Sequence, residues 1–349
     1  MLHSWHGSAD NWTMLNRVYC TYFDHNYLSR GLALYTSLQR HAPGTRLWVL
    51  CLSDVCHQML VSLDLPELVP VRLEDFEATD PQLAAVQSTR STVEYYFTCT
   101  PAWLLYVAER EREAEWVTYL DGDLYFFASP EVLYNELIDG TVAIVPHRFA
   151  PNLTKRHVFG TYNVGWVGVR NDPDGIAVIA WWRERCIEWC YDRVDGDRYA
   201  DQGYLSSFSR LSTRVRVIQH VGANLAPWNI ANHRIDFRDG QVIIDTIYPL
   251  IFFHFQGVRT GFRWFIFNSH RIFGAPFSQK TRQHIYRPYI EEMLAMEKII
   301  APRLGIQETG PQVRSHTIKS SLRDIAIFTL RLLDIVSGRA FLVMRGTAY

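Results

Sequence analysis

Strand-like and helix-like segments alternate along the first 73 residues, and this alternation is the strongest constraint on the fold. Apolar residues recur at every second position in three segments and with helical spacing in the two between them, in the order 17–23, 27–41, 46–52, 54–63 and 68–73. Strands that alternate with helices are typical of a parallel sheet covered by helices. We therefore predict an α/β fold with a mixed, mostly parallel sheet flanked by helices.

The rest of the chain continues with more varied elements. We expect further strands at 116–120, 141–145, 164–169 and 250–255, and helices at 94–112, with an interruption near Pro101, at 176–193 and at 199–209. The Asp239-Gly240 pair lies between two short alternating runs and predicts a tight hairpin over 235–244. The loop 146–160 carries five basic or histidine side chains.

Composition excludes several classes of protein. The chain is 48% hydrophobic and 14% aromatic, which excludes a largely disordered protein. Its 35 basic and 36 acidic side chains leave a net charge of −1, so we expect no nucleic-acid partner. The six cysteines form no Cys-x-x-Cys pair and lie partly in apolar segments, as expected of reduced thiols in a cytoplasmic protein. We find neither a signal peptide nor a membrane-spanning run.

Two carboxylates follow the strand expected at 116–120. Asp121 and Asp123 flank Gly122 and are followed by the apolar run 124–127. Alternation along an extended backbone places both carboxylates on one side, with space for a ligand at the glycine. Two carboxylates this close repel unless a cation neutralises them, so the pattern predicts Mg²⁺ or Mn²⁺ bridged to substrate phosphates.

Two similar strings are interpreted differently. Asp195-Gly196-Asp197 and Asp172-Pro173-Asp174-Gly175 stand in polar surroundings and are typical of solvated turns. The nucleotide fingerprints G-x-G-x-x-G and G-x-x-x-x-G-K-[ST] are both absent from the sequence, which argues against a dinucleotide oxidoreductase and a P-loop protein.

Six short segments follow one another along the chain: Tyr22-Phe23-Asp24-His25-Asn26-Tyr27, Tyr119-Leu120-Asp121-Gly122-Asp123, Tyr162-Asn163-Val164-Gly165, Ala200-Asp201-Gln202-Gly203-Tyr204-Leu205, Asn224-Leu225 and His254-Phe255-Gln256-Gly257. Through these segments the sequence resembles glycosyltransferase family 8, a family of nucleotide-sugar enzymes with the GT-A fold that includes glycogenin and the lipopolysaccharide galactosyltransferases. Each segment is a weak signal, and their common order over residues 17 to 265 is specific. The resemblance implies a GT-A-like catalytic domain over 16–277, between an extension at 1–15 and a helical extension at 278–349.

The resemblance also implies roles for individual residues. The metal would be held by Asp121, Asp123 and His254, and an imidazole completes an acceptable set of ligands for Mn²⁺. The other implied groups are Tyr22, Asp24, Asn26 and Tyr27 for the nucleotide, with Tyr27 stacked on the base; Asn163, Asn224, Gly257 and Arg259 for the donor sugar and diphosphate; and Gln202 with Asp201 as catalytic residues beside the reacting centre. Without the resemblance, Asp24 is equally a helix N-cap and Tyr27 a core aromatic.

The sequence departs from the family at two places. A Lys-Pro-Trp commonly follows His-Phe-x-Gly, and this chain has Thr260-Gly261-Phe262 instead, so Arg259 or Arg263 is expected to replace the lysine that grips the diphosphate. The basic residue usual on the helix before Asp-x-Asp is not evident in 96–101.

The expected function is metal-dependent transfer of a hexose from a nucleotide sugar, such as a UDP-sugar, to a hydroxyl of a glycan or glycolipid in polysaccharide biosynthesis, with retention at the anomeric carbon. One alternative is a noncatalytic nucleotide-sugar or glycan-binding module. A glycoside hydrolase or phosphatase is less favoured, because hydrolases need two carboxyl groups facing each other across a bond at about 5 Å or more.

The C-terminal extension carries an apolar stripe with basic side chains beside it. Its residues are Ile318, Leu322, Ile325, Ala326, Leu332, Leu333 and Val336, with Lys319, Arg323, Arg331, Arg339 and Arg345 nearby. One interpretation is an interfacial helix that holds the protein on the inner face of an anionic membrane. The other is a helix packed on the catalytic domain or on a second copy in a homodimer.

Overall fold

The computed structural model describes residues 16–261, 264–303, 340–344 and 347–348. The expected N-terminal extension at 1–15 and the apolar stripe at 318–336 lie outside these residues. The strands up to residue 217 are, in chain order, β1 Arg17–Phe23, β2 Arg46–Cys51, β3 Leu68–Arg72, β4 Trp116–Leu120, β5 Leu124–Phe126, β6 Val142–Pro146, β7 Tyr162–Arg170 and β8 Val215–Val217.

Seven of these strands form the central sheet. Their order is β3-β2-β1-β4-β7-β6-β8. The pairs formed by β7 with β4 and with β6 are antiparallel, and all other neighbouring pairs in this sheet are parallel. The predicted mixed, mostly parallel α/β sheet is confirmed. Its carboxyl-terminal edge at β1 and β4 brings the turns after Phe23 and Leu120 together.

Helices cover both faces of this sheet. The helices of the described residues are, in chain order, α1 Leu28–His41, α2 Asp54–Leu63, α3 Leu73–Glu77, α4 Pro81–Val86, α5 Thr92–Arg110, α6 Glu131–Tyr134, α7 Pro173–Glu188, α8 Phe208–Leu211, α9 Asn268–Ile272, α10 Gln279–Thr281 and α11 Arg287–Arg303. Shorter 3₁₀ segments lie at His25–Tyr27, Gln87–Thr89, Pro151–Phe159, Gln202–Ser207 and Ile230–Asn232, and a π-helical segment lies at Arg282–Tyr286.

The strands divide their side chains between two cores. Val18 and Cys20 of β1 pack in a cluster with α5 and α7, whereas Tyr19 and Phe23 pack in a cluster with α1 and α2. This is the period-2 alternation that the sequence carries, since successive strand residues point to opposite faces. All six cysteines are buried and free, as expected of reduced core thiols.

The remaining strands form three smaller sheets. They are β9 Ile235–Arg238, β10 Gln241–Ile244, β11 Tyr248–Pro249, β12 Phe252–His254, β13 Val258–Gly261, β14 Trp264–Phe267, β15 Ala340–Met344 and β16 Thr347–Ala348. β12 pairs antiparallel with β5, which joins it to the turn after β4. The predicted hairpin is confirmed in β9 and β10, where Asp239 and Gly240 both have positive φ, as a type I′ turn requires.

The C-terminal extension is helical over its described part at 279–303, as expected. Tyr289 of α11 stacks on Phe255 with ring centroids 3.8 Å apart, and Tyr286 packs against both Phe253 and Phe255. β15 pairs with β14 and with β16, so the extension also contributes strands, which sequence reasoning did not predict. None of the described helices has the length and apolar character to span a membrane.

Two of the expected helices are wrong in detail. α5 runs through Pro101 without a break, because Cys99, Ala102 and Trp103 are buried around the proline and hold the helix against the core. The segment expected as a helix from Tyr199 starts only after Ala200, whose φ of 45° is left-handed and incompatible with a helix. It then forms the 3₁₀ segment and the single α-helical turn of α8.

Replacing Gly31 by alanine tests the packing of α1 on β1. A Cβ at Gly31 would lie 2.2 Å from Cε1 of the Phe23 ring. Overpacking of this kind outweighs the advantage of alanine over glycine in a helix, so we expect Gly31→Ala to lower the free energy of unfolding by about 1–2 kcal/mol in urea denaturation. In the double variant with Phe23→Leu, the free energy of unfolding should fall by less than the sum of the decreases in the two single variants. A Gly31→Ala variant as stable as the original chain would contradict this packing.

Candidate metal centre

The site begins where the buried strand β4 ends. The main-chain N–H of Asp121 donates to the carbonyl of Gly165 on β7 at 3.0 Å. The carbonyl of Asp123 accepts from the N–H of Phe255, which directly follows β12, at 3.0 Å. The Asp-Gly-Asp turn is therefore held on both sides by main-chain hydrogen bonds, and its two carboxylates have little freedom to move apart.

His254, the last residue of β12, brings an imidazole to both carboxylates. Its Nε2 lies 3.1 Å from Oδ1 of Asp123 and 3.6 Å from Oδ2 of Asp121. One ligand atom from each of the three residues lies within 4.8 Å of the other two, and among the described residues this is the one such group of His, Cys, Asp and Glu side chains. Two carboxylate oxygens and one imidazole nitrogen suit a divalent cation of the Mn²⁺ or Mg²⁺ type.

Asn163 orients the ring of His254. The N–H of Gly165 donates to Oδ1 of Asn163 at 3.1 Å, which fixes the amide with its oxygen on that side. The same oxygen lies 3.2 Å from Nδ1 of His254, so Nδ1 is the donor of that hydrogen bond. In the neutral imidazole the lone pair is then on Nε2, which faces the carboxylates. Hydrogen bonds of this kind commonly select the tautomer of a metal-binding histidine.

His147 extends this hydrogen-bond network on the side of Asn163 away from His254. Nδ2 of Asn163 lies 3.4 Å from Nε2 of His147, whose ring stacks on Phe149 with centroids 4.5 Å apart. Burial lowers the pKa of His147 to about 3, so the ring is neutral and accepts from the Asn163 amide. His147 therefore adds no positive charge to the loop 146–160.

Gly165 is needed for this arrangement. A Cβ at that position would lie 2.5 Å from Oδ1 of Asn163 and 2.8 Å from Nδ1 of His254. Any larger residue would therefore enter the space of the hydrogen bond that orients the imidazole. This accounts physically for the Asn163-Val164-Gly165 element that the sequence singled out.

The ionisation of the three residues is coupled. Burial raises the pKa of Asp121, the Asp123 carboxylate adds to this, and His254 opposes it. Burial also acts against ionisation of Asp123, but His254 and Arg30 together hold the pKa of Asp123 below its usual value. The pKa of His254 is raised, because the two carboxylates outweigh the effect of its burial. Without a metal, a proton on His254 thus balances one of the two negative charges, and a cation would take its place.

Tyr119 positions Asp121 and was missed from the sequence. Its hydroxyl donates to Oδ1 of Asp121 at 2.9 Å, which leaves Oδ2 towards His254. A tyrosine two positions before an aspartate on a strand lies on the same side, and this alternation was the available signal. The Tyr22 ring packs against Tyr119 at 5.4 Å, and the Tyr22 hydroxyl lies 3.2 Å from Oγ1 of Thr100.

The catalytic candidates lie beside this network. Asp201 is buried, and burial together with the nearby Asp121 carboxylate raises its pKa to about 7. The side chain of Gln202 is half-buried, and its Nε2 donates to the carbonyl of Phe159 at 2.6 Å. Gln202 is therefore tied to the end of the 3₁₀ segment Pro151–Phe159.

Of the nucleotide candidates, Tyr22 lies within β1, and Asp24, Asn26 and Tyr27 follow it. Asp24 caps the 3₁₀ segment by accepting from the N–H of Asn26 at 2.9 Å, and its other oxygen accepts from the Asn26 amide at 2.9 Å. The N-cap role considered for Asp24 is thus present. The Tyr27 ring is 42% exposed and is not a core aromatic. The Asp123 carboxylate and burial raise the pKa of Tyr27.

The remaining candidates differ in their surroundings. Asn224 is buried with φ of +62°, and its Oδ1 has no hydrogen-bond partner within the described part of the chain. Gly257 has φ of +76°, and a Cβ there would lie 2.0 Å from Oγ of Ser269, so only glycine fits. Arg259 is exposed on β13, and Arg263 lies outside the described residues.

Of the two other Asp-x-Asp strings, Asp195-Gly196-Asp197 is an exposed turn, as expected, whereas the expectation of a solvated turn at Asp172-Pro173-Asp174-Gly175 is wrong, because this segment starts α7. Asp172 caps α7 by accepting from the N–H of Gly175 at 2.8 Å and pairs with Arg214. Asp195 lies in an exposed turn and pairs with Arg198 at 2.6 Å. Neither string has a histidine beside it of the kind that His254 provides, among the residues that the structure describes.

Fold and site together define an α/β protein whose mixed sheet carries a carboxylate–histidine group able to bind a divalent cation. No protein-family model matches the chain. It is 32% identical over 254 residues to YfnF of Bacillus subtilis strain 168, and the alignment covers 70% of this chain and 82% of YfnF. It is 31% identical over 242 residues to YfnD of the same strain, and that alignment covers 68% of this chain and 77% of YfnD. The chain belongs to the family of YfnF and YfnD, both described as uncharacterized proteins.

Solved structures with a similar fold include the galactosyltransferase LgtC in complex with donor and acceptor sugar analogues. The similarity covers 69% of this chain and 87% of that chain, at 19% sequence identity and a TM-score of 0.48.

Substitution of Asp123 tests the metal centre. We expect Asp123→Asn to weaken Mn²⁺ binding by more than about a hundredfold, since the loss of an outer hydrogen-bond partner alone costs about 10–100-fold. Electron paramagnetic resonance of free Mn²⁺ during a titration measures this affinity. The matched control is Asp197→Asn in the exposed Asp-x-Asp turn, which should bind as the original chain does. Equal affinity of the Asp123 and Asp197 variants would contradict the site.

Substitution of Asn163 tests the orientation of the imidazole. Asn163→Ala removes the acceptor of the Nδ1 hydrogen bond, so we expect Mn²⁺ affinity to fall by about 10–100-fold, less than for a ligand substitution. Asn171, just beyond the far end of β7, donates to the carbonyls of Ala108 and Glu111 and provides the control Asn171→Ala. If both variants keep the original affinity, Asn163 does not orient His254.

Proposed function

We propose that this protein is a metal-dependent glycosyltransferase that moves a hexose from a nucleotide sugar to a hydroxyl acceptor. The observation that carries the proposal is the convergence of separate sequence elements at one place. Asp121 and Asp123, Asn163 and His254 come from three different segments of the chain and form one hydrogen-bonded group. These are segments through which the sequence resembles family 8.

The proposed centre would bind Mn²⁺ or Mg²⁺ through Asp121, Asp123 and His254. The cation would act as a Lewis acid that stabilises the negative charge on the departing diphosphate. Asn163 and Tyr119 orient the metal ligands. The exposed ring of Tyr27 offers a stacking surface for a base. Asp201, with its raised pKa, and Gln202 are the proposed groups beside the transferred sugar.

The finer proposals follow from the same resemblance. The donor is a UDP-hexose, the transfer retains the configuration at the anomeric carbon, and the acceptor is a glycan or glycolipid. The cytoplasm is the proposed location, which agrees with six free cysteines. The proposed contact with a membrane or a second copy through 318–336 rests on the sequence alone.

Turnover of UDP-sugars tests the proposed reaction. We expect the protein to release UDP from at least one member of a panel of UDP-hexoses in the presence of Mn²⁺, and to stop when EDTA is added. Asp123→Asn should lower this rate by at least about a hundredfold, comparable to the loss of one group that stabilises developing charge. A coupled assay for UDP measures the rate, with Asp197→Asn as the matched control.

Two results would separate the alternatives. Undiminished turnover in Asp123→Asn would contradict the metal role. Mn²⁺-dependent binding of UDP without turnover of any donor, in the presence of a mixture of glycan acceptors, would favour a noncatalytic binding module.

A further inference from the structure

We propose that Arg30 supplies the fixed positive charge for the diphosphate of the nucleotide sugar, in place of the lysine that this chain lacks. The inference rests on the proposed function and assigns the role to a residue of α1. Sequence analysis placed this role on Arg259 or Arg263. The side chain of Arg259 is exposed on β13, whereas Arg30 is 8% exposed.

The contacts of Arg30 hold its guanidinium in one position. One terminal nitrogen donates to the carbonyl of Val258 at 3.0 Å, and the guanidinium carbon lies 4.5 Å from the centroid of the Tyr27 ring. Val258 follows Gly257 in the turn after His254. The side chain thus bridges α1 and this turn, and the positive charge is held in place before any ligand binds.

The position of this charge fits a diphosphate. Arg30 contacts Tyr27, the proposed stacking surface for the base, and donates to the carbonyl of Val258, which follows the metal ligand His254 closely in the chain. A diphosphate bound between a base on Tyr27 and a cation on Asp123 would pass the guanidinium. Arginine presents five N–H donors in a planar fork that matches phosphate oxygens.

Arg30 forms no ion pair within the described part of the chain. No carboxylate oxygen there lies within 4.0 Å of its nitrogens, whereas the buried Arg17 and the half-buried Arg183 each pair with a carboxylate. Glu297 lies near the guanidinium, but burial outweighs that attraction and keeps the pKa of Glu297 above its usual value. A buried cation without a paired anion is costly unless a ligand supplies the anion.

Isothermal titration calorimetry with UDP and with uridine, both with Mn²⁺, tests the inference. We expect Arg30→Gln to weaken UDP binding by about tenfold to a hundredfold relative to uridine binding, the range for hydrogen bonds to charged groups. Arg30→Lys should recover part of that loss. Mn²⁺ alone should bind Arg30→Gln at least as tightly as the original chain, because a positive charge near Asp123 has been removed.

The matched control is Arg170→Gln. Arg170 also donates to main-chain carbonyls, those of Leu137 and Ile138, but at the far end of β7. We expect this variant to keep the original ratio of UDP to uridine affinity even if its melting temperature falls.

The outcomes separate the two proposals. If the original chain binds UDP and Arg30→Gln keeps the original ratio of UDP to uridine affinity, Arg30 has only a structural role and the inference is wrong. If Arg259→Gln instead weakens UDP binding relative to uridine binding, the positive charge for the diphosphate is that of Arg259 on β13 and the inference is wrong. If the original chain binds no UDP with any divalent cation, the proposed function itself fails and the inference fails with it.

Discussion

The repulsion between two carboxylates at the end of one buried strand is the constraint on which the site depends. Asp121 and Asp123 cannot separate, because main-chain hydrogen bonds hold their turn to Gly165 and Phe255. His254 faces both of them, and Asn163 holds its ring so that Nε2 points at the carboxylates. The fold therefore builds a place where positive charge is required, with a proton meeting that need when no metal is bound.

The positions of Tyr27 and Arg30 extend this site along the edge of the sheet. β1 and β4 are parallel neighbours, so the turns after them open on the same side. The 3₁₀ segment after β1 ends at Tyr27, the first turn of α1 carries Arg30, and Arg30 reaches the turn after His254. An aromatic ring, a guanidinium and a carboxylate pair thus follow one another. In the proposed complex, these groups would face the base, the diphosphate and the bound cation, in that order.

How much could be predicted from sequence differs between the fold and the site. The strands β1 to β4 and the hairpin at Asp239-Gly240 could be predicted, because long apolar runs and turn residues depend on local pattern. The continuity of α5 through Pro101 could not be predicted, because tertiary packing overrides the tendency of proline to interrupt a helix. The metal ligands followed from a pattern and a resemblance. The role of His147 could not be predicted, since its burial arises from distant segments, and an arginine on an amphipathic helix such as Arg30 is ordinarily solvent-exposed.

Anomalous diffraction at the manganese edge, from crystals grown with Mn²⁺ and UDP, tests the central claim most directly. The account predicts one strong peak in direct contact with Asp121, Asp123 and Nε2 of His254, with the diphosphate of UDP on its open side. A manganese peak elsewhere, or UDP bound away from these three residues, would contradict it.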